Sequence, residues 1–115
     1  MENCKYLLYI DILGFSKLAE TDYQRIIKLF SVIDTLNVHK HYAFQTIVFS
    51  DTILIFNKVA PETAHDHKYL VMYACEFVQD LIFRCRDLNI QFRAILTYDE
   101  FYYQKLKHIE AYHGK

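Results

Sequence analysis

Runs of branched and aromatic residues predict three β-strands in the first half of the chain. Residues Lys5 to Ile12, K-Y-L-L-Y-I-D-I, are apolar on both faces, which is typical of a strand at the centre of a sheet, and Asp11 is the one acidic residue among them. Ala43 to Phe56 reads as two further strands. Because Ser50 and Asp51 are the only adjacent turn-forming residues in that segment, they predict a tight hairpin.

Two segments have helical periodicity. Thr21 and Gln24 have capping-box spacing, which predicts a helix beginning near Asp22. Its apolar residues recur three and four positions apart and form one stripe: Tyr23, Ile26, Ile27, Phe30, Ile33 and Leu36. After Pro61 a second helix is predicted from about Ala64 to Arg86. Its buried stripe would contain Leu70, Ala74, Phe77 and Leu81.

The order of elements predicts the fold. Asn89 to Tyr98 alternates well enough for a fourth strand, whereas the tail from Phe101 to Lys115 fits a strand entering a helix or a frayed end equally well. The resulting βαββαβ order predicts a single α+β domain over residues 1–115, ferredoxin-like, with a mostly antiparallel sheet and two helices on one face. In that arrangement the first and third strands are antiparallel neighbours, so Asp11 and Asp51 lie side by side.

Two adjacent carboxylates at the rim of an apolar sheet suggest a specific chemistry. They repel each other, which raises one pKa unless cations share the site. With Mg²⁺ or Mn²⁺, such a pair can hold two ions about 4 Å apart and support in-line phosphoryl transfer. The alternative is that Asp51 is only a turn residue and Asp11 only a strand-end residue that caps the following helix.

Other residues carry weaker signals. Arg93 is a cation inside an apolar strand, and we expect it to pair with a nucleotide phosphate or with a carboxylate. The pairs His39-x-His41 and His65-x-His67 could ligate a metal, although histidines in short polar segments are more often simply solvated. The three cysteines lack C-x-x-C spacing and predict reduced thiols rather than a disulfide framework or a zinc site.

Composition limits the classes of binding partner that the chain can have. A formal charge of −1 and the lack of a basic stripe argue against binding of duplex nucleic acid. No apolar run approaches the length of about 20 residues that a membrane span needs, and the N-terminal residues have no signal-peptide pattern. We therefore expect a cytoplasmic protein that does not associate with membranes.

Two motifs resemble those of a known superfamily. Y-I-D-I-L-G-F-S-K-L, from Tyr9 to Leu18, resembles the first metal motif of class III nucleotidyl cyclases, and F-S-D-T-I-L-I-F, from Phe49 to Phe56, resembles the second. The Ser before the second Asp, the later segment from Phe92 to Tyr102 and the closing Gly-Lys look closest to the bacterial Pycsar pyrimidine cyclases.

The resemblance implies an activity and a set of site residues. The activity is conversion of a nucleoside triphosphate into a 3′,5′-cyclic nucleotide and pyrophosphate. The product would be cyclic UMP or CMP, an antiviral signal. The enzyme would be a homodimer that uses two Mg²⁺ or Mn²⁺ ions. Asp11 and Asp51 would be the catalytic carboxylates. The metal ligands would be Asp11, Ile12 and Asp51, and the nucleotide-binding residues Ile12, Leu13, Gly14, Phe15, Ser16, Ser50 and Arg93.

The sequence also departs from the family pattern. Ile47 stands where purine-specific relatives have a residue that reads the base edge, which leaves a pyrimidine cyclase or a degenerate site. Tyr42 and Phe44 could stack on a base, or could be core residues. Ala94 and Asp99 occupy positions that are usually glycine. The family's transition-state Asn and Arg would follow Gly114-Lys115, so we expect the C-terminal part of the family domain to be missing.

Three hypotheses remain open from the sequence. The chain is a nucleotide cyclase, inactive alone if it is truncated; or it is a non-catalytic module of cyclase fold that binds a nucleotide or a partner; or it is an unrelated ferredoxin-like dimerisation domain.

Overall fold

The computed structural model describes residues 3–36 and 44–114. The strands are β1 (Cys4–Ile12), β2 (Phe44–Phe49), β3 (Thr52–Asn57), β4 (Phe92–Lys105) and β5 (Glu110–Gly114). The helices are α1 (Phe15–Thr21), α2 (Tyr23–Thr35) and α3 (Ala64–Cys85), and a short 3₁₀ turn (Arg86–Leu88) follows α3. Among these residues no helix combines the length and hydrophobicity needed to cross a membrane.

The strands form one antiparallel sheet in the order β2-β3-β1-β4-β5. The first four strands thus have the ferredoxin-like order, with β1 between β3 and β4, and the predicted fold class is confirmed. Helices α2 and α3 pack on one face through a core that includes Leu29, Phe77 and Ile10, each at most 1% exposed. We call this the helix-covered face and the opposite one the open face.

Strand alternation assigns residues to the two faces. Leu8, Ile10 and Ile12 of β1 join the core under the helices. Leu7, Tyr9 and Asp11 alternate with them and therefore lie on the open face. Residues opposite one another in the register share a face, so the open face can be read directly from strand pairing.

An aromatic cluster fills one end of the open face. Leu7, Phe56 and Phe101 are buried there, and Tyr112 packs against both phenylalanine rings at centroid distances of 6.0 and 6.1 Å. The side-chain amide nitrogen of Gln45 donates a hydrogen bond to the Tyr112 hydroxyl at 3.1 Å. Because Gln45 is on β2 and Tyr112 on β5, this bond joins the two outer strands, and the sheet is therefore curled toward its open face.

The C-terminal segment differs from both sequence expectations. Instead of entering a helix or fraying, β4 continues to Lys105 and forms a hairpin with β5. The tyrosines that made the tail ambiguous account for this, because Tyr103 and Tyr112 face each other across the hairpin with ring centroids 4.9 Å apart. Cross-strand aromatic pairs of this kind stabilise antiparallel strands.

The first half contains a helix that the sequence did not predict. Phe15–Thr21 forms α1, so Thr21 ends one helix rather than capping the next, and the predicted Thr21–Gln24 capping box is wrong. The cap of α2 is Asp22, whose side chain accepts from the Arg25 amide at 3.3 Å. The helix nevertheless starts at Tyr23, next to the predicted position.

The apolar stripe predicted for α3 is confirmed, whereas the one predicted for the first helix, α2, is only partly correct. All four predicted α3 residues are buried, and Cys85 joins them. In α2 the buried residues are Ile26, Leu29 and Ile33, whereas Tyr23, Ile27 and Phe30 are 61%, 43% and 37% exposed. The spacing fitted two overlapping stripes, and the sheet contacts the one that contains Leu29. All three cysteines are free thiols, as predicted, with Cys75 exposed and Cys4 and Cys85 buried.

Asn57 is a buried polar residue at the end of β3. It is fully buried, its side-chain oxygen accepts from the Tyr6 amide at 2.7 Å, and its side-chain nitrogen donates to the Val59 carbonyl at 2.8 Å. One side chain therefore satisfies two backbone groups where the β1–β3 ladder ends, which fixes the exit of the chain toward α3.

Replacing Asn57 with alanine should destabilise the domain by about 2 kcal/mol, because a fully buried side chain is truncated and the Tyr6 amide and the Val59 carbonyl lose their part-buried hydrogen bonds to it. Urea unfolding measures the loss. The control is Gln79→Ala on the exposed side of α3, which should change stability by less than about 0.5 kcal/mol. Equal effects of the two substitutions would contradict this role of Asn57.

A capping box starts α3. The Thr63 hydroxyl accepts from the Asp66 amide at 3.1 Å, and the Asp66 carboxylate accepts from the amides of Glu62 and Thr63 at 3.0 and 3.1 Å. The hydrogen bonds from the Glu62 and Thr63 amides hold the pKa of Asp66 below its ordinary value of 3.8.

Asp66→Ala should lower the melting temperature at pH 7, and the difference from wild type should shrink in acid. A lowered folded-state pKa means that the stabilisation is complete above the ordinary aspartate pKa and is lost as pH falls through the folded value. Thermal unfolding between pH 7 and pH 2 tests this. A difference in melting temperature between Asp66→Ala and wild type that stays constant down to pH 2 would refute this expectation.

Candidate functional site

The candidate site lies at the end of β1, between the β2–β3 hairpin and the start of β4. Asp11 is in register with Thr52 on one side and with Arg93 on the other. The Ile12 amide donates to the Asp51 carbonyl at 2.8 Å, and the Leu13 amide donates to the Gln91 carbonyl at 2.9 Å. These pairings bring Asp11 and Asp51 next to each other in space although forty residues separate them in sequence.

Asp11 is a half-exposed carboxylate on the open face. Its Oδ2 atom accepts a hydrogen bond from an Nη atom of Arg93 at 3.0 Å, which forms an ion pair. The Asp11 side chain is 39% exposed and the Arg93 side chain 67% exposed. The buried neighbours Ile10 and Ile12 point into the core and hold Asp11 outward. Of the two partners predicted for Arg93, the structure shows the carboxylate.

Ser50 and Asp51 form the predicted two-residue turn. Phe49 pairs with Thr52, which leaves only these two residues outside the ladder. Ser50 has a φ of 56°, the left-handed conformation that two-residue hairpins require of a central residue. Asp51 is exposed, and its Oδ1 atom accepts from the Thr52 hydroxyl at 3.3 Å. Asp51 therefore stands at the tip of the hairpin, with its backbone carbonyl bonded to the amide that follows Asp11.

The segment from Ile12 to Ser16 leads from β1 into α1. Gly14 has φ 70° and ψ 22°, a left-handed conformation that reverses the chain direction at the helix start. Phe15 packs against the core and stacks on Phe30 at 6.4 Å, so its side chain is committed to packing. Ile12 is likewise buried, which leaves backbone groups of these two residues as their available ligands.

An apolar row crosses the open face beside the acidic residues. Ile47, Leu54, Tyr9 and Ile95 are paired in register across β2, β3, β1 and β4. Tyr9 and Ile95 are 38% and 52% exposed. The sequence identified Ile47 alone, whereas strand alternation combined with the register would have revealed the complete row.

Several other candidate residues are placed away from this site. Phe44 is 6% exposed and packs on Tyr73 at 5.8 Å, so it is a core residue and the base-stacking alternative is wrong. Ala94 is in register with Ile10 and so lies on the helix-covered side, not beside the carboxylates. Asp99 is in register with Lys5, at the far end of the open face.

His67, of the histidine pair that the structure describes, lies away from this site. His67 of the second pair bonds through Nδ1 to the Tyr6 hydroxyl at 2.6 Å, and its ring lies edge-on to Tyr98. His39 and His41, like Tyr42, lie outside the described residues. Burial and the nearby Tyr98 raise the pKa of Tyr6, which keeps its hydroxyl protonated. The hydrogen bond between His67 and Tyr6 joins the start of α3 to β1.

The donor set at the candidate site suits a hard divalent cation. Within residues 3–36 and 44–114 no three His, Cys, Asp or Glu side chains form a metal-holding cluster. Two carboxylates and a neighbouring backbone carbonyl are nevertheless sufficient for Mg²⁺ when phosphate oxygens and water complete its shell, and Mg²⁺ is commonly bound in this way. The residues present therefore fit a metal that arrives with a phosphate ligand.

Comparison with solved structures identifies the fold. The adenylyl cyclase CyaB from P. aeruginosa superposes with a TM-score of 0.71 at 11% identity, covering 98% of this chain and 65% of that one. A bacterial light-regulated adenylyl cyclase gives 0.66 at 15% identity, covering 99% and 64%. The guanylyl cyclase Cya2 gives 0.61 at 13% identity, covering 100% and 66%.

These likenesses show that the chain has the fold of a class III nucleotide cyclase catalytic domain and spans about two thirds of the length of these structures. No protein-family model and no curated protein matches the sequence.

Replacing Gly14 with alanine should destabilise the domain by about 1 kcal/mol through its left-handed backbone conformation. A Cβ atom at this position would meet no atom within 4 Å, so steric clash contributes nothing. Gly114→Ala is the matched control, since its Cβ would meet only the Glu100 carbonyl oxygen at an ordinary 3.8 Å. In urea unfolding, the stability loss of Gly14→Asn should lie between the losses of Gly14→Ala and Gly114→Ala. Equal losses for the two alanine variants would contradict the explanation.

Proposed function

We propose that this chain is a metal-dependent nucleotide cyclase domain that binds a nucleoside triphosphate on its open face. The observation that carries the proposal is the placement of Asp11 and Asp51 side by side, on a fold shared with adenylyl and guanylyl cyclases. Mg²⁺ or Mn²⁺ ions, two in number, would be held by the two carboxylates and the Ile12 carbonyl.

The proposed reaction closes a ring on the nucleotide. The ribose 3′-hydroxyl oxygen forms a bond to the α-phosphorus, the bond from that phosphorus to the bridging oxygen breaks, and pyrophosphate leaves with the electron pair. The hydroxyl proton passes to solvent. When bound, divalent ions would supply Lewis acidity for this displacement. The carboxylates of Asp11 and Asp51 would hold the ions, and backbone groups from Ile12 to Ser16, with Ser50, would contact the triphosphate.

We further propose that the base is a pyrimidine. Ile47 belongs to the apolar row, where its neighbour across the ladder is Leu54. Neither side chain offers a hydrogen-bond donor or acceptor to a base edge. The polar side chain that would read a purine edge is therefore missing at this position, which argues against adenine or guanine as the base. In keeping with the resemblance to Pycsar cyclases, the product would be cyclic UMP or CMP in antiviral defence.

A homodimer is proposed for the same face. Phe49, Tyr9 and Ile95 are 80%, 38% and 52% exposed there, and exposed apolar groups of this size favour association. A partner subunit would supply the group that stabilises developing charge on the phosphate.

One observation favours a second candidate function. The Arg93 ion pair already satisfies Asp11 without a metal. A module of this fold that binds nucleotide or a partner without turnover would be equally stable, and we expect little or no cyclic product from this chain alone.

Asp51→Asn and Asp11→Asn should each weaken Mn²⁺-dependent triphosphate binding by at least about tenfold. Each replaces an anionic metal ligand with a neutral side chain of similar shape. Calorimetry with Mn²⁺ and each of UTP, CTP, ATP and GTP measures the loss. UTP and CTP should bind more tightly than ATP and GTP. Wild-type binding that survives both substitutions would refute the site.

The control is Asp99→Asn, a matched change on the same face. Asp99 lies six residues along β4 from Arg93, about 20 Å at roughly 3.3 Å per residue. It should leave binding unchanged. Product analysis after incubation with each triphosphate bears on the two candidates in one direction: cyclic nucleotide formed from any of them would establish the cyclase and exclude the module without turnover.

A further inference from the structure

The Arg93–Asp11 ion pair occupies the carboxylate that the proposed function needs for a metal. A guanidinium nitrogen lies 3.0 Å from Asp11 Oδ2, and the two residues face each other directly across the β1–β4 ladder. Both backbones are fixed by antiparallel pairing, so the contact is built into the register. It is the only ion pair with a residue of the acidic pair among the described residues.

The pair can open without disturbing the fold. The Arg93 side chain is 67% exposed and the Asp11 side chain 39% exposed, so neither depends on the other to offset burial. Arginine has a long side chain, and from β4 it can reach ligands above the open face as well as Asp11. Its planar donors match phosphate oxygens as well as they match a carboxylate.

A divalent ion and the guanidinium compete for Asp11. Both are positively charged, and a cation bound at Asp11 would sit within a few ångströms of Arg93 in its present position. A metal alone must therefore displace Arg93 and remain beside it uncompensated. A triphosphate that arrives with the metal offers Arg93 a new anionic partner.

We propose that Arg93 is a positioning residue that exchanges partners, pairing with Asp11 before metal and nucleotide bind and moving to a phosphate oxygen when they bind together. This inference rests on the proposed function. It makes the binding of metal and of triphosphate mutually supportive, since each releases the group that the other needs. Without nucleotide, the ion pair keeps metal affinity low.

Arg93→Gln should therefore bind Mn²⁺ alone about twofold to fivefold more tightly than wild type, which is the range that an exposed ion pair accounts for. The same variant should bind Mn²⁺-UTP more weakly. Free Mn²⁺ is measured by its paramagnetic resonance signal, and nucleotide binding by calorimetry. The control is Lys105→Gln, which removes one positive charge at the exposed far end of the same strand and should change neither affinity.

A second arm tests the same exchange without metal. With EDTA present, Asp11→Asn should raise the affinity for UTP because it frees Arg93. Asp51→Asn removes an equal charge nearby but leaves the ion pair intact, so it should raise that affinity less. Circular dichroism establishes that each variant is folded.

The outcomes separate the two proposals. Mn²⁺ binding that requires Asp11 and Asp51 but is unchanged or weakened by Arg93→Gln would overturn the exchange and leave the proposed function standing. Absence of Mn²⁺ and Mn²⁺-UTP binding by both wild type and Arg93→Gln would overturn both. Opposite shifts of the two affinities in Arg93→Gln would support the exchange, since a merely structural role would weaken both.

Discussion

The pairing of β1 with a strand on each side is the constraint on which the rest of this structure depends. It places Thr52 and Arg93 on either side of Asp11 and brings the hairpin tip next to the strand end. A slip of one residue would turn Asp11 into the core under the helices, where an unpaired carboxylate is very costly. The buried residues Ile10 and Ile12 oppose that slip, so the hydrophobic core fixes the position of the acidic residue.

The open face has two ends with different properties. At one end Phe56, Phe101 and Tyr112 pack together, and the bond from Gln45 to Tyr112 ties the outer strands across them. At the other end Asp11 and Asp51 lie near solvent. The packed aromatic end limits how far the curled sheet can open, which keeps the acidic end and the apolar row between them in a fixed geometry. Asp11 and Arg93, which lie on paired strands, are therefore held more rigidly than residues on loops would be.

Much of the fold could be predicted because its signals are local. Ser50 and Asp51 mark the hairpin within a long apolar segment, and the buried stripe of α3 follows the predicted helical spacing of Leu70, Ala74, Phe77 and Leu81. Helix α1 could not be predicted in this way, since seven residues are too few to be stable without tertiary contacts, here those of Phe15. The α2 stripe was ambiguous because Leu29 and Phe30 both fit the spacing. The partner of Arg93 depends on register, which sequence specifies only once the neighbouring strands are known.

Electrostatics explains why the acidic site would take metal and nucleotide together rather than in sequence. Two carboxylates and one guanidinium together carry a small negative charge, which the fold tolerates because all three groups are partly solvated. A divalent ion alone reverses the sign of that charge beside Arg93, and a triphosphate alone adds anionic oxygens beside Asp11 and Asp51. When metal and triphosphate bind together, the metal contacts the carboxylates and the phosphates contact both the metal and Arg93, so each charge meets one of opposite sign. In the proposed site, therefore, the arginine opposite Asp11 would do more than neutralise it: it would make the acidic pair selective for a metal that is already bound to phosphate.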